Sequence, residues 1–131
     1  MKLEESDVFL VFHDYPTGSP HALRDFLLKR KVRHLISIGH VNRYAPRNPV
    51  TASHMEIYRG GRIARRVKSE KAVLPEYLQY VKDFLYTLVW CVKYGKGTYD
   101  VFIGAGNLNA FCGLILKSLG LVKHVVFYSI D

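Results

Sequence analysis

The sequence predicts an α/β fold: a three-layer sandwich built on a mostly parallel sheet. Three observations predict it. Short apolar runs at residues 7–13 (DVFLVFH), 35–38 (LISI), 101–103 (VFI) and 125–128 (VVFY) have the composition of strands buried on both faces. Stretches with helical spacing alternate with them, as a parallel sheet requires. Residues 99–131 (YDVFIGAGNLNAFCGLILKSLGLVKHVVFYSID) read as strand, loop, helix, strand. That is a parallel βαβ unit, whose crossover is right-handed in nearly all known cases.

Taken in order, the first strand runs through residues 7–13 and HDYPTGSP follows. Ser19 and Pro20 make a helix start, N-cap then N1. Ala22, Leu23, Phe26 and Leu27 share one helical face, and Arg24, Asp25, Lys29 and Arg30 face away. The strand at 35–38 closes on Gly39 and His40. Residues 42–53 carry Pro46 and Pro49 without periodicity and read as a surface loop. Residues 55–58 and 62–67 flank Gly60 and Gly61, a hairpin signal. Pro75 opens a long helix to about Lys93, in which Leu78, Val81, Leu85, Leu88, Val89 and Val92 recur at helical spacing. In the closing unit Asn107 is the expected N-cap and Gly120 the expected C′ residue. The sheet should hold parallel strands near 7–13, 33–39, 99–104 and 123–129. The chain stops at Asp131, just after a strand, so the expectation is a truncated part of a larger architecture.

At 131 residues the chain is one domain by length, and 49% hydrophobic residues exclude a disordered tail. The longest uncharged apolar-rich run, 84–92, is half what a bilayer span needs. The N-terminus, MKLEESD, is too acidic for a signal peptide. Cys91 and Cys112 sit in apolar helical contexts and read as small core residues, consistent with a reducing cytoplasm. The net charge of +8 suggests an anionic partner: phosphate groups, an acidic polymer or the anionic face of a membrane.

Four constellations could carry chemistry. The loop of Thr17, Gly18 and Ser19 precedes a helix N-terminus, whose free amides favour phosphate or carboxylate. Gly104, Gly106, Asn107 and Asn109 follow a strand, where amides that both donate and accept suit hydroxyl-rich ligands. Of the six histidines, only His13 and His40 sit at strand ends. Neither has a carboxylate at ligand spacing except Asp14, so a metal site is not expected. The basic run at 58–71 (YRGGRIARRVKSEK) is a solvated face or a surface for a phosphate-bearing acceptor or a membrane. No helix-turn-helix, zinc or RNP-like pattern accompanies it, which argues against nucleic acid.

The segments VFLVFHDYPTGSPHALRDFLLKRKVRHLISIGH and YDVFIGAGNLNAFCGLILKSLGLVKHVVFYSID resemble the N-terminal domain of GT-B glycosyltransferases of the group 1 or family 4 type. The resemblance covers about two-thirds of the chain. It implies a Rossmann-like acceptor-side domain, half of a GT-B fold, facing a C-terminal domain that holds a nucleotide-sugar donor. That second domain and its Glu-rich motif are absent from this sequence. The resemblance further implies a lipid-linked or polysaccharide acceptor, no metal or other cofactor, and inactivity of this part alone. Gly18 matches one of two glycines in the family's phosphate-proximal loop, with Thr17 in place of the other. Ala105 and Gly106 stand where many members carry a histidine, so no residue is assigned a catalytic role.

The site expected on this reading joins Thr17, Gly18 and Ser19 to Gly104, Gly106 and Asn107 across a shallow cleft. Asn109 lies beside them, and His40 and Asp131 lie at the margins. A cytoplasmic protein, peripheral to an anionic membrane and prone to self-association, is the accompanying expectation. The alternatives are a stand-alone α/β module binding a phosphorylated small molecule and an interaction remnant without catalysis.

Overall fold

The computed structural model describes residues 2–14, 19–41, 52–69 and 75–128. After a short 3-10 turn, the elements are β1 (Asp7–Asp14), α1 (Ser19–Lys29), β2 (His34–Val41), β3 (His54–Arg59), β4 (Arg62–Lys68), α2 (Glu76–Tyr94), β5 (Tyr99–Ala105), α3 (Asn107–Ser118) and β6 (Val122–Tyr128). The apolar runs fall on β1, β2, β5 and β6. The hairpin of β3 and β4 turns on Gly60 and Gly61, with φ of 58° and 86°. Two successive positive φ values define the tight turn whose twist matches the strands it joins.

One six-stranded sheet has the order β4-β3-β2-β1-β5-β6. β1 pairs in parallel with β2 and β5, and β5 with β6. β3 and β4 extend the β2 edge antiparallel. This is a Rossmann-like α/β sandwich. From β1 the chain crosses to β2 on one side, and from β5 it crosses to β6 on the other. Right-handed crossovers in opposite directions put α1 and α3 on opposite faces. The sheet therefore has a topological switch point between β1 and β5, where the loops leaving the two strands part.

The core follows from strand alternation. Val8, Leu10 and Phe12 point to α1, where Leu27, Val32 and Leu35 join them. Phe9 and Val11 point to α2 and α3, where Trp90, Cys91, Phe102, Cys112 and Leu116 close the larger cluster. Cys91 and Cys112 are buried free thiols, as their apolar contexts suggested. Burial pushes both thiols up, Cys112 to about 12.

Two expected helical faces need correcting. On α1, Phe26 is exposed, and the packed residues are Leu23, Leu27 and Leu28. On α2 the larger departure occurs. Leu78, Val81, Leu85, Val89 and Val92 face outward, 41–57% exposed. The buried stripe is Gln79, Asp83, Thr87, Trp90 and Cys91. The helix has turned a polar row toward the sheet.

Candidate active site

Two histidines stand side by side at the carboxyl ends of β1 and β2, next to the switch point. His13 and His40 are the next-to-last residues of β1 and β2, and the parallel register pairs them directly. Their ring centroids lie 5.6 Å apart. Over them passes the first half of α2. Gln79, Asp83 and Thr87 are spaced at i, i+4 and i+8, so they share the side of the helix that faces the sheet. Ser53 comes from the residue before β3, and Asn109 from the first turn of α3.

Hydrogen-bond direction can be read from the fixed donors. Asn109 Nδ2 donates to the Ala105 carbonyl at 2.8 Å, which identifies that atom as the nitrogen. The same amide lies 3.2 Å from His13 Nδ1, so Nδ1 accepts. His13 therefore carries its proton on Nε2 and donates it to Asp83 Oδ2 at 3.1 Å. The other carboxylate oxygen accepts from Gln79 Nε2 at 2.9 Å and from Ser53 Oγ at a long 3.5 Å. Ser53, having given its proton to Asp83, accepts from His40 Nδ1 at 2.9 Å. Thr87 Oγ1 then donates to His40 Nε2 at 2.6 Å. His13, Gln79 and Ser53 thus donate to Asp83 directly, and Thr87 and His40 are relayed to it through Ser53.

Exposure separates the roles. Asp83, His40, Ser53, Thr87, Gln79 and Asn109 are buried. The His13 side chain is 18% exposed, with Tyr80 edge-on at 6.0 Å. Burial pushes His40 down to about 3, outweighing the pull of Asp83 at 3.5 Å, so this imidazole stays neutral. His13 is thus held at both ring nitrogens, by the carboxylate behind Nε2 and by the Asn109 amide at Nδ1 on the side of the β5–α3 turn. The carboxylate fixes the tautomer and stabilises the imidazolium form. Among the described residues no group of three His, Cys, Asp or Glu side chains is arranged to hold a metal ion.

Several residues named from the sequence lie at or near this place. Thr17, Gly18 and Asp131 fall outside the described residues, as does most of the 42–53 loop. Ser19 begins α1, and its side chain is likewise outside. β1 and β5 are adjacent and parallel, with Val11 opposite Gly104. Gly104 is buried against α3: a Cβ there would meet the Ala110 nitrogen at 2.5 Å. Its glycine therefore serves helix packing. Gly106, with φ of 98° and ψ of 162°, occupies the cap position of α3 expected for Asn107. No side chain caps that helix, because the chain enters it through a conformation only glycine adopts readily. Asn107 is exposed at the mouth.

Two further expectations are corrected. His40 does not sit at the margin of a cleft. It is fully buried behind Asp83 and Thr87. Asn109 does not present its amide nitrogen to a ligand, since Ala105 and His13 take both hydrogens.

Sequence reasoning missed Ser53, Gln79, Asp83 and Thr87. The four-residue spacing of Gln79, Asp83 and Thr87 was a legible signal. A polar row runs along α2 on the side opposite the apolar one.

No family model, curated protein or solved structure matches the chain. Among the described residues no helix is long and apolar enough to cross a membrane.

Proposed function

We propose that this chain is the acceptor-side domain of a GT-B glycosyltransferase, with His13 taking the proton of the acceptor hydroxyl. The observation that carries the reading is the His13–Asp83 pair at the switch point of a parallel sheet. Acceptor oxygen attacks the anomeric carbon of the donor while His13 Nδ1 takes its proton. The bond from that carbon to the phosphate oxygen breaks, and the nucleotide leaves with the electron pair. His13 must give up its contact with Asn109 to do so, which Asn109 tolerates because it keeps its bond to Ala105. Asn107, exposed beside Gly106, is free to meet sugar hydroxyls. The donor is held by a second domain, so the acceptor binds this one weakly, on the order of 1 mM or about 4 kcal/mol.

The test uses the ¹⁵N-labelled chain titrated with an alkyl glycoside as acceptor mimic. The largest amide shifts should fall on His13, Tyr80 and residues 106–109. In a transfer reaction run with the donor-binding domain, His13→Gln should lower kcat by about 100-fold or more while KM changes little. Shifts confined to residues 59–68, or full activity of His13→Gln, would sink the reading.

A further inference from the structure

A second concavity lies at the opposite end of the sheet, on the same face. It is a cavity of about 370 Å³ between the β3–β4 hairpin and the C-terminus of α2, walled by His34, Arg59, Arg65, Lys93, Tyr94 and Lys96. That volume lies in the range of small-molecule sites. α2 joins the two places: Asp83 and Lys93 are ten residues apart on it, about 15 Å.

The wall holds four full positive charges and no carboxylate. Among the described residues none of the four cations makes a salt bridge. The nearest acid across β2, Asp7, is already held by both nitrogens of the Arg33 fork at 2.9 Å. Arg59 Nε donates to His34 Nε2 at 3.4 Å, which keeps that ring neutral and leaves the rest of the guanidinium free. Arg65 and Lys93 both stack on the Tyr94 ring, at 5.1 and 5.3 Å from its centroid. Two cations gathered on one ring repel each other. The α2 C-terminus contributes only about half a negative charge to offset them. Burial holds the His34 imidazole below its ordinary value despite the pull of Asp7, with Arg59, Lys96 and Arg33 adding to the effect.

We infer that this cavity is a binding site for a soluble phosphoanhydride, a diphosphate or triphosphate group, separate from the His13 site. A diphosphate matches the wall better than a single phosphate does. Its charge is spread along two phosphorus centres, and the cations are spread between the hairpin and the helix end. Guanidinium forks from Arg59 and Arg65 suit paired phosphate oxygens, and Lys93 and Lys96 supply point charges.

The test is titration of the ¹⁵N-labelled chain with inorganic pyrophosphate and, separately, orthophosphate at matched ionic strength. Saturable shifts should appear at Arg59, Arg65, Lys93 and Lys96, with pyrophosphate binding about 10-fold or more tighter. Raising sodium chloride should weaken both. Arg59→Gln with Arg65→Gln should remove the response while the melting temperature stays close to the parent's. The single variant Lys96→Gln, at an exposed position, should weaken binding part-way. Equal shifts from pyrophosphate, orthophosphate and sodium chloride would mean bulk screening and overturn the site, as would shifts centred on His13. Sedimentation with vesicles of anionic phospholipid, lost in the double variant, would overturn the assignment to a soluble ligand.

Discussion

Acid should unfold this domain through His40. Free in an unfolded chain, its imidazole binds a proton below about 6.5. In the fold it does so only near 3, because the ring is fully buried between Ser53 and Thr87. Between those two values the unfolded state binds more protons than the native state. Stability is therefore complete above pH 6.5 and falls as the pH drops below it. The loss is about 1.4 kcal/mol per pH unit, so roughly 2.7 kcal/mol has gone by pH 4.5 and about 5 kcal/mol by pH 3. A domain of this size has about 5–15 kcal/mol in all. Urea titrations at pH 7.5, 5.5 and 4.5 measure the loss directly. His40→Gln will start out less stable, but it should lack this pH slope. Parallel slopes in the two proteins would refute the argument. So would a His40 Cε1–H resonance that titrates with a midpoint near 6.5.

Further outcomes follow from the same geometry. Gly104→Ala should cost about 1–3 kcal/mol by forcing α3 off the sheet, since its Cβ would meet three backbone atoms of residues 109 and 110 at 2.5–2.7 Å. Gly106→Ala should cost a similar 1–3 kcal/mol for a different reason: nothing crowds its Cβ, but φ is 98°. Thermal melts separate the two if Gly104→Ala also shifts the His13 ring resonances and Gly106→Ala does not. Thr87→Val leaves His40 Nε2 without its donor and should cost about 1–3 kcal/mol in urea. Cys91 and Cys112 should resist a thiol reagent at pH 8 until the chain is unfolded, and labelling at a rate near that of free cysteine would contradict their burial.

The sequence made the sheet legible because three of its four parallel strands, β1, β2 and β5, are apolar on both faces; β6, expected to be buried likewise, is an edge strand that leaves Val126 and Phe127 about half exposed. Gly60 and Gly61 likewise announced their turn. The site was harder. His13 and His40 could each be placed at a strand end, but their pairing depends on β1 and β2 being neighbours in register. Asp83 lies 70 residues from His13 along the chain, and only the path of α2 over the sheet joins them. At the β5–α3 turn the error was one residue: Asn107 is a good cap by type, yet the backbone needed glycine at Gly106. Periodicity gave α2 two stripes without saying which faces inward, and hydrophobicity alone favours the wrong one.

That orientation is itself an argument for function. Turning Leu78, Val81, Leu85, Val89 and Val92 outward leaves five apolar side chains about half exposed. At about 2 kcal/mol for each side chain fully buried, the helix forgoes on the order of 5 kcal/mol. Turning Asp83 inward adds the cost of taking a carboxylate out of water, several kcal/mol before its hydrogen bonds offset it. Gln79, Ser53 and His13 supply that offset, and the latter two come from outside the helix, from the segment before β3 and from β1. Rotating α2 by about half a turn would bury these five side chains but carry Trp90 and Cys91 out of the core, so the polar row is held inward together with an apolar anchor. What the observed rotation supplies is a fixed carboxylate behind the one histidine of the cluster that reaches the surface. Asp83 acts there only by way of His13. Holding a carboxylate at that depth therefore makes sense if the Nδ1 of His13 has a proton to take.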